Sequence, residues 1–438
     1  MGQYYSIDLF AGCGGLSLGL ESAGFRPVMF SELDKDTRES FKSNVSHSSD
    51  LIEIGNVKEL TDKNSKLLKQ HLKNLKSKGI NEIDLVCGGP PCQAYSGIGH
   101  RRSYNTDKKN QPIAKLYEDM ANIITVVNPK LFLFENVRGL LSAKWSKEGD
   151  KGEIFEDVVK TFASIKGYKI GWNLLHAKNY GVPQNRPRIF LVGVREDLDF
   201  FTNYNLERTG QQSLTSSNYP SEKTPESLGR ALEWGLLPTK KEQISHLDMV
   251  DVWGDLLDKN YVNGERTEKY ANDIDNDFQR IMRTKSDGKL MKKGSKLTEQ
   301  EYSKHSPRII EKFNYIITNQ VYSKDKLPSK FRTNKFAQRL LPERWKTGGP
   351  SITATSLPDD FIHYCQPRTP TVREWARLQT FPDWTKFHGK RTTGGIRRAG
   401  DPTSGLFDRE VPKYTQIGNA VPVSLANEIG LNLIKFLD

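Results

Sequence analysis

Cys92 stands in Gly-Gly-Pro-Pro-Cys-Gln, residues 88–93, directly after the apolar run Ile83-Asp84-Leu85-Val86-Cys87. The run reads as a buried strand, and the glycine pair and two prolines hold the following thiol on a stiff turn at its carboxyl end. A second apolar run, Leu131-Phe132-Leu133-Phe134, ends in Glu135-Asn136-Val137. A thiol and a carboxyl then sit at the tops of two strands, where open parallel sheets place their ligands. A thiolate is a strong nucleophile, reachable near neutral pH where a helix terminus or an arginine lowers its pKa. A partly buried carboxyl holds its proton longer and can deliver it. Together they suit the addition of a thiolate to an electron-poor aromatic ring while an acid protonates a ring nitrogen. The competing assignments are a buried inert thiol, which is how Cys87 reads, and a capping or salt-bridged carboxylate at Glu135.

Asp8-Leu9-Phe10-Ala11-Gly12-Cys13-Gly14-Gly15-Leu16-Ser17 reads as a strand entering a glycine-rich turn and then a helix. Glycines at 12, 14 and 15 let the backbone approach a ligand, and the helix N-terminus attracts negative charge. The turn lacks the GxGxxG spacing of a dinucleotide fold. The next strand ends at Glu32, placed to hold a pair of ribose hydroxyls. A nucleoside-bearing cofactor fits these features.

The elements that must position these groups alternate up to about residue 196. Strands are expected at Tyr5–Phe10, Pro27–Leu33, Ile83–Cys87, Leu131–Glu135, Ile170–Ala177 and Arg188–Val194. Between them, Leu60, Leu67, Leu68, Leu72 and Leu75 fall on one helix face, as do Tyr117, Met120, Ile123, Ile124 and Val127. The expected fold class is α/β, a doubly wound, mixed but mostly parallel sheet. From 200 to 345 the rhythm is lost in a polar, lysine-rich stretch, read as a second, smaller irregular domain. A helix signal returns at Thr371, an N-cap with Glu374 three residues on. A Gly- and Arg-rich segment, Gly389 to Asp401, precedes a last helix from about Ser424 to Leu437.

The chain has 438 residues, enough for two domains, and 65 Lys and Arg against 53 Asp and Glu give a net charge of +12. That excess leans toward a polyanion partner. Four cysteines, Cys13, Cys87, Cys92 and Cys365, show no zinc spacing and are too few for a disulfide scaffold, so no metal and a reducing compartment are expected. A strand starting near Met1 leaves no room for a signal peptide, and no apolar run is long enough for a membrane. A cytoplasmic protein is expected.

Six ordered segments carry a resemblance: FAGCGGLSLGLESAGF, GGPPCQAYSGIGHRR, FENVRGL, QNRPRIFLVG, TVREWARLQTFPDW and QIGNAVPVSLANEIG. Together they resemble the DNA (cytosine-5) methyltransferases, especially the single-chain bacterial enzymes of restriction–modification systems. The resemblance covers about residues 4–195 and 348–435. It implies a fold of the S-adenosylmethionine-dependent methyltransferase type, with S-adenosylmethionine as methyl donor. It implies that Cys92 adds to C6 of a flipped cytosine, that Glu135 hydrogen-bonds N4 and serves N3, and that Arg188 contacts O2. Arg186 is the weaker candidate, with a phosphate clamp or solvated charge as its alternative. Phe10, Gly12, Gly14, Gly15 and Leu16 match the motif around the methionine moiety, Glu32 with Leu33 beside it the ribose site, and Pro90 the same pocket. Asn419 and Ala420 match the closing motif. Gly55-Asn56-Val57 departs from the family, which has an aspartate where Asn56 stands; an asparagine carbonyl can still accept from the adenine amino group.

The resemblance further implies a catalytic and cofactor-binding domain, 1–198 with 412–438, and a small domain, 199–411, whose target recognition region is about 200–345. Residues 93–112 read as a mobile loop closing over DNA. Arg391, Arg397 and Arg398 lie in a basic insertion longer than the family's. Expected partners are double-stranded DNA, on which the chain acts as a monomer associated with the nucleoid, and a restriction endonuclease paired in function without a stable complex. An RNA cytosine methyltransferase of the transfer-RNA type is the alternative, but its Cys-Phe-Thr tripeptide is missing from this chain. A non-enzymatic DNA-binding regulator would not need Cys92, Glu135 and the glycine turn intact. A nicotinamide oxidoreductase has no use for Pro-Pro-Cys-Gln.

Overall fold

The computed structural model describes residues 4–45, 51–61, 63–91, 115–198, 237–238, 247–332, 338–345, 358–393 and 410–437. Runs rich in β-branched and aromatic residues form seven strands: β1 (Tyr4–Leu9), β2 (Phe25–Ser31), β3 (Ile52–Ile54), β4 (Leu85–Gly88), β5 (Leu131–Val137), β6 (Tyr168–His176) and β7 (Pro187–Arg195). They make one sheet in the order β3-β2-β1-β4-β5-β7-β6. Neighbours run parallel, except that β7 is antiparallel to both β5 and β6. The mostly parallel sheet expected from the sequence is therefore what forms. Strand order reverses between β1 and β4, the switch point at which such sheets open a crevice at their carboxyl ends.

Helices α1 (Gly15–Ala23), α2 (Lys35–Asn44), α3 (Lys66–Ser77), α4 (Leu116–Val127) and α5 (Glu153–Ala163) connect these strands. The apolar face of α4 falls where periodicity places it. Leu60 does not join α3: it closes a separate 3-10 turn, Val57–Leu60, and α3 begins only at Lys66. The short edge strand β3 was not anticipated, because three residues are too few to show alternation.

The chain comes back to this layer through α10 (Lys413–Asn419) and α11 (Val423–Ile434). Leu425, Ala426, Ile429 and Leu433 of α11 share an apolar cluster with Leu16 and Leu20 of α1. The two helices approach so closely that a Cβ on Gly19 would strike the Val423 carbonyl and come within 2.5 Å of Ala426 Cβ. Gly19→Ala is expected to cost about 1–3 kcal/mol through this overpacking. Urea unfolding measures it; an unchanged midpoint would contradict the close approach.

The remaining elements, short apart from α8, are α6 (Met249–Trp253), α7 (Asp277–Arg283), α8 (Pro307–Thr318), α9 (Val372–Leu378) and a two-stranded pair, β8 (Arg339–Leu340) with β9 (Phe361–Ile362). Their main apolar cluster, with Trp253, Tyr270, Trp375 and Phe381, also takes in Phe30, Phe41 and Val45 from the first layer. Buried charge does much of the rest. Arg377 reaches Asp255 and Asp383, the latter at 2.6 Å, while Arg283 lies 3.3 Å from Asp255. Thr371 caps α9 in the expected capping box, and Arg368 holds the Glu374 carboxylate with two bonds of 2.6 and 2.8 Å. Such paired charges let a polar, irregular stretch hold a fixed shape without regular ladders. No helix among the described residues is long and apolar enough to cross a membrane.

Candidate active site

The glycine-rich turn leaves β1 under strain. Phe10 has φ 58, a left-handed conformation costing on the order of 1–3 kcal/mol in a residue with a side chain. The turn is pinned to the end of β2: Ala11 N–H donates to the Ser31 carbonyl (2.9 Å), and Gly12 N–H donates to Glu32 Oε2 (3.0 Å). Asp34 N–H donates to the other oxygen of Glu32 (2.9 Å). Burial pushes the Glu32 carboxyl above its usual pKa, and these backbone donors offset part of the shift. Beside it Leu33 leaves 74% of its surface in solvent, the most exposed large apolar side chain described. Arg38 anchors this corner from below by donating to the Glu32 and Leu33 carbonyls at 2.8 and 2.7 Å.

The three glycines do different things. Gly12, at φ 57, has open space where a Cβ would stand, as a ligand approach requires. Gly14 instead faces Val45 Cγ2, which a Cβ would meet at 2.6 Å. Gly15 faces the Val421 carbonyl and Ala420 Cβ. At 14 and 15 the missing side chain admits neighbouring protein.

Other expected cofactor residues are scattered in character. Leu16 and Val57 are buried in apolar clusters. Asn56 is exposed, and its side-chain oxygen accepts from Lys58 N–H at 3.1 Å and from Glu59 N–H in a capping box, which the Glu59 carboxylate closes by accepting from Asn56 N–H at 2.9 Å. Asn419 is exposed at the end of α10, and Ala420 follows it. Gln379 fixes that end by donating to the Ile417 and Ala420 carbonyls at 2.8 and 3.2 Å.

Glu135 sits near the carboxyl end of β5, buried, with Arg188 Nε 2.9 Å from its Oε1. The antiparallel pairing of β5 with β7 brings them together, since Val137 faces Arg188 in the register. Burial raises the Glu135 pKa; the Arg188 and Arg186 charges pull it back in part. The turn after β4 lies directly on this carboxyl. A Cβ on Gly89 would come 2.6 Å from Glu135 Oε2, and Asn136 Nδ2 donates to the Pro90 carbonyl at 3.1 Å. Cys92, two residues further along that turn, lies outside the described residues, as does the expected mobile loop 93–112. Arg186 is neither a surface clamp nor a solvated charge: it is fully buried and donates to the Gly418 carbonyl at 2.6 Å. Of the expected recognition region, 237–238, 247–332 and 338–345 are described; Arg397 and Arg398 of the insertion are not.

Three residues near this crevice were not singled out in the sequence. Asp8, buried on β1, accepts from Ser17 Oγ at 2.5 Å and from the Cys87 thiol. A lone acid inside an apolar strand was the signal. Gln184 and Gln379 are both buried and bonded to each other at 2.8 Å, which ties the turn before β7 to the end of α9. A glutamine in a polar loop gives no comparable warning.

The carboxyl ends of β1, β2, β4 and β5 thus present a strained glycine turn, the buried acids Glu32 and Glu135 with raised pKa, and Arg188 paired with Glu135. Comparison with known proteins gives the same direction. The sequence profile of the C-5 cytosine-specific DNA methylases matches residues 4–435. The type II methyltransferase M.DdeI of Desulfomicrobium norvegicum is 29% identical over 432 residues, 97% of this chain and 86% of that protein. M.XorII of Xanthomonas oryzae pv. oryzae is 29% identical over 441 residues, 98% of this chain and 84% of that one. A crystal structure of an Escherichia coli prophage protein assigned as a DNA modification methyltransferase superposes with a TM-score of 0.63 at 21% identity, covering 99% of both chains; it supports the fold. The chain belongs to the C-5 cytosine-specific DNA methylase family and is a DNA (cytosine-5) methyltransferase.

Proposed function

We propose that this enzyme extrudes one cytosine from a short duplex DNA sequence and bonds the Cys92 thiolate to C6 of that base. C5 is then nucleophilic enough to take a methyl group. The observation that carries the reading is the contact of the Gly89–Pro90 turn with buried Glu135 and Asn136, which sets the chain leading to Cys92 beside a proton-holding carboxyl. A stacked cytosine hides C6, so extrusion is needed, at a cost of a few kcal/mol. Glu135 holds N3 and N4 of the base while C6 is attacked. Arg188, already paired with Glu135, reaches O2 and balances charge in the adduct.

S-adenosylmethionine fits the crevice on the other side of the switch point. It supplies an electrophilic methyl group on a sulfonium. Gly12 leaves room for the methionine part, Glu32 is placed for ribose hydroxyls, and exposed Leu33 offers an apolar face to a base. Phe10, Pro90, Asn419 and Ala420 complete that site. No metal is needed for these steps. Glu32→Gln is expected to weaken S-adenosylmethionine binding about tenfold or more, since it swaps a charged acceptor for an amide. Calorimetry on the protein without DNA checks this, and an unchanged affinity would remove Glu32 from the site.

Residues 199–411 form the smaller, DNA-reading domain in this proposal, and 1–198 with 412–438 the catalytic one. Similarity to type II methyltransferases supports a protective role beside a restriction endonuclease. Conversion sequencing of DNA from cells expressing the protein tests the function. One short motif should gain 5-methylcytosine. Absence of any new methylated motif would count against it.

A further inference from the structure

Asp8 is a buried carboxyl on which no cation acts among the described residues. Its carboxylate accepts from the Ser17 hydroxyl in the first turn of α1 and from the Cys87 thiol, its register partner on β4. The remaining charged group acting on it is Glu32, beyond the end of β2, which is itself acidic. Burial, with a smaller push from Glu32, raises the Asp8 pKa to about 7 despite the two donors. The Cys87 thiol is held protonated far above its ordinary range by burial and by the Asp8 charge, so it stays a donor. An isolated carboxylate in such a place is strongly disfavoured unless a cation arrives. Both acids are tied to the turn proposed to hold the methyl donor: Asp8 precedes it on β1 and bonds Ser17 just beyond it, and Glu32 accepts from Gly12 N–H within it.

We propose that Asp8 is the built-in counter-charge for a cationic donor: it makes the pocket prefer S-adenosylmethionine, whose sulfur is positive, over the neutral demethylated product, S-adenosylhomocysteine. The inference rests on the cofactor reading above. When the S–CH3 bond breaks, its electron pair stays on sulfur and the positive charge is lost. The ionised Asp8 then faces no cation, and the product leaves a pocket that no longer attracts it. Asp8 touches no reacting atom in this account. It acts through the field of the pocket and through Ser17 and Cys87, which tie it to the cofactor turn and to the strand leading to Cys92.

The sign of the pH dependence follows. Binding a cation favours ionised Asp8 and lowers its pKa, so a proton leaves when the donor binds. The preference for donor over product is full above pH 7 and declines as pH falls below it. Isothermal calorimetry in buffers of different ionisation enthalpy reads this on the protein without DNA. At pH 7 the wild type should release about half a proton more per S-adenosylmethionine bound than Asp8→Asn does, as expected for a group with a pKa near 7. The two proteins should not differ with S-adenosylhomocysteine. Subtraction of the variant removes the ligand's own amine, and Glu32 contributes equally with both ligands through the shared ribose. Asp8→Asn should also lower the donor-to-product affinity ratio by about tenfold. Should that variant fail to fold, Ser17→Ala keeps the carboxyl, removes a donor and should move the midpoint of the preference to higher pH. Equal proton release and an equal affinity ratio in wild type and Asp8→Asn, or an unmoved midpoint in Ser17→Ala, would overturn the role of Asp8. Failure of both ligands to bind the wild type would instead overturn the cofactor reading.

Discussion

Cys92→Ala is expected to abolish methyl transfer while leaving DNA and cofactor binding in place. Without the thiolate, C5 of cytosine stays a weak nucleophile, and positioning alone cannot replace the missing covalent bond. Loss of an activated nucleophile typically lowers kcat by about 10^4-fold or more. The alanine variant keeps the proline pair and the glycine pair before position 92, so binding of DNA and cofactor should persist. Single-turnover transfer of labelled methyl groups, with a gel-shift assay in parallel, measures both halves. Methyl transfer at a comparable rate would remove covalent catalysis from the account. A variant that neither transfers nor binds DNA would show instead that Cys92 shapes the fold of the turn.

Glu135→Gln is the second large effect. An amide of the same size can still bond N4 and N3 but has no carboxyl proton to give, so a fall of about 10^2- to 10^4-fold in the single-turnover rate is expected. The loss should lie in the chemical step, with donor affinity nearly unchanged, because the role proposed for Glu135 is on the base and not on the cofactor. The pH dependence separates chemistry from structure. Burial keeps the Glu135 carboxyl protonated to higher pH than an ordinary glutamic acid, against the opposing pull of Arg188 and Arg186. The wild-type rate should therefore decline on the alkaline side as Glu135 ionises, and the glutamine variant should lack that decline. A variant with the same alkaline limb would assign it to another group. The substitution also leaves Arg188 beside a neutral partner, so thermal unfolding should accompany the kinetics.

Six of the seven strands were legible because each carries an apolar pattern that survives without knowledge of the fold, whereas β3, Ile-Glu-Ile, is too short to show one. The strand order of the sheet was not legible, since the reversal of β7 depends on pairing partners far apart in sequence. Glu135, Glu32 and the glycine turn were visible as polar or flexible residues placed where apolar runs end. Roles within the turn were harder to see. Only the packed structure shows that Gly15 yields space to Val421 and Ala420. For Arg186 the sequence left a surface clamp or solvated charge open beside a site role, because a charge between prolines and polar residues gives no sign of its burial against the Gly418 carbonyl. Asp8 and the buried charges around Arg377 were hidden for a related reason: an acid announces its neighbours only after distant arginines, or their absence, are known.

The most direct measurement uses duplex DNA in which 5-fluorocytosine replaces the target base in the methylated motif. The normal adduct resolves by loss of a proton from C5. Fluorine cannot leave as a cation, so the adduct should persist once methyl transfer has occurred. A denaturation-resistant protein–DNA conjugate should form only with S-adenosylmethionine present, and mass spectrometry of its peptides should place the attachment at Cys92. Efficient methylation of the ordinary motif with no conjugate on the fluorinated one, or attachment at another residue, would contradict the account.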